Sequence, residues 1–147
     1  MSTIREIALH LPSITSAYLA VLALLYAALT VQVIRLRQTN RASFGDSGSP
    51  TLRSAIRTHA NFAEYVPIIA LMVAMLEMSG ASALRVHLLM AALLVSRLLH
   101  PLGMYVAPST LQFRICRVGG MTITIGLLVA CAVLILSRIL FGGFATT

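Results

Sequence analysis

The sequence predicts an all-α fold: an integral membrane four-helix bundle with left-handed, up-and-down topology. Of its 147 residues, 59% are hydrophobic and only 10% are charged, whereas a soluble domain carries roughly 25% charged residues. Four apolar stretches are each long enough for a spanning helix, which needs about 20 residues. We therefore expect one transmembrane domain over residues 1–147, with helices at about 11–36, 52–79, 82–100 and 112–140.

The predicted helix boundaries follow from turn residues and from charge. The stretch Leu11–Ile34 contains no charged residue and is longer than the apolar core of a signal peptide, so we expect a retained helix. A Gly-Asp-Ser-Gly-Ser-Pro run at 45–50 predicts the first loop, and a Ser-Gly pair at 79–80 predicts the second. Pro101 and Gly103 predict that the third helix ends at about residue 100.

Arginine supplies all the basic charge, with 11 basic residues against 4 acidic ones and a formal net charge of +7. Only Arg5, Arg85 and Arg138 lie on the side of the second loop and the termini. The positive-inside rule therefore predicts that the first and third loops are cytoplasmic and that both termini are outside. Because the arginines lie at helix ends and not along a soluble face, we expect no nucleic-acid partner. The arginines of the cytoplasmic side are Arg35, Arg37, Arg41, Arg53, Arg57, Arg97, Arg114 and Arg117.

Neither the cysteines nor the histidines predict a metal site. Cys116 and Cys131 form no C-x-x-C pair and lie in one apolar stretch. Such cysteines are typically buried free thiols that behave as small hydrophobic residues. The four histidines show no metal-ligand spacing. We therefore expect no bound metal.

The second predicted helix carries a narrow stripe of polar residues. With 3.6 residues per turn, Arg53, Asn61 and Glu64 all lie within about 40° of Arg57 around the helix. Charged side chains are costly against lipid, so we expect the stripe to face the bundle interior or a wet cavity. Arg57 and Glu64 are separated by roughly 10 Å of rise, so each needs another partner. Glu77 lies on the opposite side of the helix, where we expect a solvated helix end.

Two interpretations of this stripe stay open on residue types alone. It is either an interhelical polar network that only holds the bundle together, or part of a recess for a small anion or zwitterion. The many arginines on this side are opposed by only two nearby acids, Asp46 and Glu64. The surplus favours a ligand that carries carboxylates, because a guanidinium binds carboxylates in a bidentate geometry and stays charged.

The stripe belongs to a longer motif, Arg57-x-x-x-Asn61-x-x-Glu64-Tyr65-x-Pro67. Two further motifs follow in the third and fourth predicted helices, Arg97-x-x-His100-x-x-Gly103 and Arg117-x-x-Gly120-Met121-x-x-Thr124. Together they resemble the signature of the MAPEG superfamily, the membrane-associated proteins of eicosanoid and glutathione metabolism. The first loop resembles the bacterial, microsomal glutathione transferase-like branch, and the resemblance extends over nearly the whole chain.

The resemblance implies a homotrimer in the bacterial inner membrane, with glutathione as co-substrate bound between subunits. It implies a glutathione transferase or peroxidase that acts on lipophilic substrates from the bilayer. The arginine that activates the thiol would be Arg117 by motif or Arg114 by its distance from Arg97, and we prefer Arg117. The residues implied to bind glutathione are Arg37, Arg57, His59, Asn61, Glu64, Tyr65, Arg97 and Tyr105.

Two alternative functions stay open beside this enzyme. One is a non-catalytic protein that binds lipids or small molecules on the same scaffold. Departures in the third loop motivate it, because His100 stands where some relatives carry a tyrosine and Tyr105 is offset by one position. The other is a purely structural bundle, in which the polar stripe pairs with itself across subunits.

Overall fold

The computed structural model describes residues 11–141, and within that range it contains four long helices and no strand. All four helices are long and apolar enough to cross a membrane. This confirms the predicted all-α, four-helix membrane bundle. The helices are α1 (Ser13–Thr39), α2 (Pro50–Met78), α3 (Ala83–Gly103) and α4 (Gly120–Leu140), and a π-helical segment (Phe113–Gly119) leads directly into α4.

Consecutive helices run in opposite directions, and α2 and α3 form the centre of the bundle. Each of these two helices packs against all the others, whereas α1 and α4 lie on opposite flanks. At one end of the bundle, the start of α1 lies beside the end of α2. At the other end, Nε2 of Gln32 in α1 donates a hydrogen bond to the hydroxyl of Tyr105, which follows α3, at 2.9 Å. The first and third loops therefore share one end.

Glu77 lies at the end of α2, as predicted, but it is not simply solvated, because it joins α1 to α2. Its carboxylate accepts hydrogen bonds from the backbone N–H groups of Ile14 and Thr15 at 2.9 Å each, and from the Thr15 hydroxyl at 2.6 Å. The first N–H groups of a helix have no partner within the helix. A carboxylate from a neighbouring helix satisfies them here and stabilises the start of α1.

The helix α3 extends beyond the predicted boundary at residue 100. It continues through Pro101 and ends at Gly103. A proline removes only one backbone hydrogen bond, and membrane helices tolerate this where neighbouring helices shield the freed groups. The extra residues carry Gly103 to the π-helical segment, where it takes part in the site described below.

The core of the bundle lies between the four helices and is apolar. Cys131 belongs to it, and both Cys116 and Cys131 are buried free thiols. Most outward side chains are also apolar, as expected for a lipid-facing surface. The buried core residues are Leu22, Leu29, Phe62, Val66, Ile69, Val73, Val86, Met90, Leu93, Leu127 and Cys131.

Candidate functional site

A polar recess of about 370 Å³ opens between α2, the end of α3 and the start of the fourth helix. Arg57 and Asn61 line it from α2, and Arg117 lines it from the π-helical segment. His100 and Met104 form its α3 side. Residues from all three sequence motifs therefore meet around one space. The remaining lining residues are Val118, Met121, Thr122 and Ile125.

Arg117 is held in place from two sides. Gly103 approaches it so closely that a β-carbon at residue 103 would lie 2.7 Å from the Arg117 Cβ. The Arg117 guanidinium lies over the ring of Phe113, with its central carbon 5.1 Å from the ring centroid, a favourable cation–π contact. Arg114 is exposed and does not line the recess. The two candidate arginines thus occupy different environments, although both belong to the same π-helical segment. Short π-helical segments are frequent at functional sites.

A second close contact involves Gly120, in the third motif. A β-carbon at residue 120 would lie 3.1 Å from the backbone oxygen of Ser96 and 3.4 Å from the backbone nitrogen of His100. Gly103 of the second motif therefore packs against the backbone of Arg117 in the third motif, and Gly120 of the third motif packs against the backbone of His100 in the second. This pair of contacts fixes the distance between α3 and the fourth helix at the recess.

Arg97 is buried behind the recess and joins three helices. It is 2% exposed and donates hydrogen bonds to Oδ1 of Asn61 at 2.9 Å and to the hydroxyl of Thr124. The amide nitrogen of Asn61 in turn contacts the sulfur of Met121 at 3.7 Å. A charged group at membrane depth is expected to bond within the bundle in this way. Arg97 therefore orients Asn61 from behind and does not itself line the recess.

The polar stripe of α2 reaches the outer surface of the chain. Arg57 and Glu64 are both exposed, and within residues 11–141 neither side chain takes part in a hydrogen bond or an ion pair. Charged side chains are costly against lipid unless they are paired.

Two other residues of the second-helix segment lie away from the recess. Nε2 of His59 lies 3.1 Å from the hydroxyl of Thr30, and its ring stacks on Tyr26 with a centroid separation of 4.6 Å. Tyr65 is half-buried and packs against the apolar core. In a single chain, both residues contribute to packing between the helices.

Arg37 and Tyr105 lie at the loop end of the bundle and also do not line the recess. The guanidinium of Arg37 donates to the backbone oxygens of Ala42, Ser43 and Gly45 at 3.3–3.4 Å, which folds the first loop against α1. The hydroxyl of Tyr105 bonds Gln32, and burial raises the pKa of this hydroxyl above its usual value.

Asp46 orders the rest of the first loop. Its carboxylate pairs with Arg53 and accepts a hydrogen bond from the backbone N–H of Gly48 at 3.0 Å. These hydrogen bonds, above all the one from Arg53, hold the pKa of the Asp46 carboxyl below its usual value. Asp46 is thus already paired, and it does not neutralise Arg57 or Arg117.

Several residues that shape the site were not predicted from the sequence. Thr124 and Met121, which contact Arg97 and Asn61, lie in the third motif, so their spacing was a usable signal. Phe113, which lies beneath Arg117, carries no such signal. His100 belongs to the second motif and was noted as a departure from some relatives, but no binding role was predicted for it, and it lines the recess.

The MAPEG family model matches residues 15–137 of the chain. The chain belongs to the MAPEG family. This MAPEG protein is 38% identical over 92 residues to the inner membrane protein YecN of Escherichia coli K12. The aligned stretch covers 63% of the chain and 70% of YecN. The match to YecN of Escherichia coli O6:H1 has the same extent. No solved structure matches the chain significantly. Within the part of the MAPEG chain that the structure describes, no group of three or more His, Cys, Asp or Glu residues could hold a metal ion.

Proposed function

We propose that this MAPEG protein is a glutathione-dependent membrane enzyme, a transferase or peroxidase, in which Arg117 activates the thiol. The observation that carries the proposal is that Arg57, Asn61 and Arg117, from motifs far apart in the chain, line one recess. The recess volume of about 370 Å³ lies in the range of small-molecule sites. Arg117, and not Arg114, is the activating arginine in this proposal because only Arg117 lines the recess.

The charge of the recess suits glutathione, which carries two carboxylates, one ammonium group and one thiol. Arg57 offers a guanidinium for a carboxylate in a bidentate geometry. Asn61, whose Oδ1 is held by Arg97 at 2.9 Å, offers hydrogen bonds to the peptide backbone of the ligand. Glu64 lies on the same stripe and suits the ammonium group. We assign Arg97 to positioning, because its hydrogen bonds are made to Asn61 and Thr124.

The chemistry requires a thiolate, which is the nucleophilic form of the thiol. A free thiol has a pKa of about 8.5, so most of it is protonated at neutral pH. A guanidinium beside the sulfur favours the anion, and each unit by which the pKa falls corresponds to about 1.4 kcal/mol. Arg117 can do this without giving up its own proton.

The second substrate would be a lipophilic electrophile or hydroperoxide that arrives from the bilayer. The wall of the recess formed by the π-helical segment and α4 contains the apolar side chains of Val118 and Ile125, and both are exposed on the outside of the chain. The enzyme would hold a water-soluble thiol beside a lipid-soluble reactant. The reaction between two free molecules would then become a reaction between two molecules bound side by side.

We further propose that the protein assembles as a homotrimer. Arg57 and Glu64 lie on the outer face of α2 with no charge partner among residues 11–141, which supports this, because a neighbouring copy would remove their charges from lipid. Such a copy would also close the open side of the recess. Arg37, which lies away from the recess of its own chain, would then act across the subunit interface.

The arginine distribution supports an inner-membrane orientation with the first and third loops in the cytoplasm. Of the arginines within residues 11–141, only Arg85 and Arg138 lie at the other end of the bundle. Cytoplasmic loops carry an excess of basic residues. The recess would then lie at the cytoplasmic side of the membrane, and both termini would lie outside.

The proposal is tested by adding glutathione to detergent-purified protein at neutral pH and measuring the ultraviolet absorbance of the thiolate. We expect a thiolate signal that saturates with protein, together with a rise in the melting temperature, because a ligand that binds only the folded state stabilises it. Absence of both the thiolate signal and thermal stabilisation would rule out glutathione as the ligand.

A non-catalytic lipid-binding function is the second candidate, and one observation favours it. An apolar groove of about 450 Å³ lies between α1 and α2, separate from the recess, with Leu19, Tyr26, Val66 and Leu71 among its walls. It suits an acyl chain. In this case a spin-labelled fatty acid would bind in the groove, and a broad panel of electrophiles would show no glutathione-dependent turnover.

A further inference from the structure

The first loop presents one large aromatic side chain that is almost fully exposed. Phe44 is 91% exposed, whereas the other residues of the loop, 40–49, are small or polar. Isolated hydrophobic residues on a protein surface need no explanation of their own. Two features set Phe44 apart, because its backbone is held in a fixed conformation and because it lies at the level of the membrane surface.

The backbone is held on both sides of Phe44. The guanidinium of Arg37 donates hydrogen bonds to the backbone oxygens of Ser43 and Gly45, at 3.4 Å and 3.3 Å. The carboxylate of Asp46 then orders the following turn through its ion pair and its bond to a backbone N–H group. The aromatic ring is therefore held away from the bundle by bonds that would have to break before it could fold back.

The loop lies at the level of the lipid head groups. The helix α1 has 27 residues, which at 1.5 Å per residue corresponds to a length of about 40 Å, whereas the hydrocarbon core of a bilayer is about 30 Å thick. The last turn of α1, which contains Arg37, therefore reaches the head-group layer. Because Arg37 bonds the backbone beside Phe44, the ring stays level with that turn. Phenylalanine side chains insert favourably at this boundary.

Positive charge without a counter-ion lies close to Phe44 in the chain. Arg35 and Arg41 are both exposed, and within residues 11–141 neither takes part in an ion pair. Asp46 does not neutralise them, because it is paired with Arg53. A guanidinium binds the oxygens of a phosphate in a bidentate geometry and stays charged, and basic residues beside a membrane are attracted to anionic lipids. The chemistry of the loop therefore fits an anionic phospholipid.

We propose that the first loop is a membrane-surface anchor, in which Phe44 inserts among the lipid head groups and Arg41 binds the phosphate of an anionic phospholipid. The lipid belongs to the leaflet on this side of the bundle. A second copy of the chain would bring the same surplus of arginines to this end, whereas a lipid phosphate neutralises it. The anchor requires no glutathione, so it can fail or hold independently of the proposed function.

The chain contains no tryptophan, so Phe44→Trp introduces a single fluorescent reporter at a position where little packing is disturbed. The variant is reconstituted in nanodiscs that mix phosphatidylglycerol with phosphatidylcholine, with bromine on the acyl chains of one lipid at a time. We expect the fluorescence to be quenched by brominated lipid and shielded from aqueous iodide. Leu88→Trp, at an exposed leucine of α3, is the reference for ordinary lipid contact.

The preference for one lipid over the other tests Arg41. A basic residue at an anionic surface favours the anionic lipid by roughly fivefold. Quenching by brominated phosphatidylglycerol, relative to brominated phosphatidylcholine, should therefore be stronger in Phe44→Trp than in Leu88→Trp. Adding Arg41→Gln to Phe44→Trp should lower this ratio to that of Leu88→Trp. Adding Arg85→Gln, which removes an exposed arginine at the other end of the bundle, should leave the ratio unchanged.

Three results would overturn the anchor. Quenching of Phe44→Trp by iodide and not by lipid would place the ring in water. Protection from both quenchers would show that protein covers the ring, as in a contact between copies of the chain. Quenching by lipid without a preference for phosphatidylglycerol, or with a preference that Arg41→Gln leaves unchanged, would remove the role of Arg41. None of these results bears on the thiolate signal of bound glutathione, which tests the proposed function separately.

Discussion

Gly103 packs directly on Arg117, and the contact leaves no space for a side chain on α3 at that point. A β-carbon at residue 103 would lie 2.7 Å from the Arg117 Cβ, which is closer than real β-carbons come to other atoms. The position of the Arg117 backbone is therefore restricted by a glycine on another helix. Gly103 of α3 thus shapes the recess through Arg117, although Gly103 does not line the recess itself.

Gly103→Ala should displace Arg117 and weaken glutathione binding. Overpacking a tight contact costs about 1–3 kcal/mol, so a lower melting temperature is expected as well. Both effects can be measured by thermal unfolding with and without glutathione. Gly126→Ala is the control, because a β-carbon at residue 126 meets no atom within 4 Å. Equal behaviour of the two variants would show that the Gly103 contact does not hold Arg117.

Arg97→Met should destabilise the bundle through the groups it leaves behind. Asn61 Oδ1 would lose its donor, at about 1–3 kcal/mol for an unpaired group, and Thr124 would lose one of its hydrogen bonds while keeping that to the Gly120 carbonyl. We expect a lower melting temperature in detergent. Arg85→Met, which removes an exposed arginine from the same helix, should leave the melting temperature nearly unchanged. A neutral effect of Arg97→Met would mean that the buried network contributes nothing to stability.

Glu77→Ala should loosen the start of α1. The carboxylate bonds two backbone N–H groups and the Thr15 hydroxyl, and the loss of a helix cap costs about 0.5–2 kcal/mol. Hydrogen exchange at Ile14 and Thr15 should therefore become faster, while exchange in the middle of α3 stays slow. Met78→Ala changes the adjacent, exposed residue and should not alter exchange at Ile14. Unchanged protection in Glu77→Ala would show that the cap does not hold α1.

The order of the first loop should depend on pH through Asp46. Because Arg53 lowers the pKa of the folded carboxyl, its contribution is present above the unfolded value and is lost as the pH falls through the folded value. The protection factors of the loop amides, which correct for the intrinsic effect of pH on exchange, should thus be constant from neutral pH down to about pH 4 and should fall below it. Asp46→Asn should give fast exchange already at neutral pH. An Asp46→Asn loop as protected as that of the wild type would refute the role of the ion pair.

The four helices were predictable because hydropathy alone identifies segments that must satisfy their backbone hydrogen bonds inside a membrane. The proximity of Arg57, Asn61 and Arg117 was expected only through family resemblance. Helix periodicity places residues on a face of one helix, but it does not say which neighbour that face meets. In a membrane this limit is severe, because lipid-facing and core-facing side chains are similarly apolar.

The features that sequence missed each depend on contacts between distant residues. Glu77 caps a helix by bonding Ile14, which lies 63 residues earlier in the chain, and no local pattern encodes that pairing. The continuation of α3 through Pro101 overrides a local helix-breaking signal, because neighbouring helices shield the freed backbone. The π-helical segment places Arg117 in the recess and Arg114 outside it, a difference that spacing could not decide.

The central claim is that Arg117 activates the glutathione thiol, and the most direct test compares Arg117→Met with Arg114→Met. The two arginines are three residues apart and both exposed in a single chain, but only Arg117 lines the recess. With saturating glutathione at neutral pH, Arg114→Met should give the ultraviolet thiolate signal of the wild type. Arg117→Met should lose that signal while keeping a folded, glutathione-stabilised oligomer. A full thiolate signal in Arg117→Met would contradict the account.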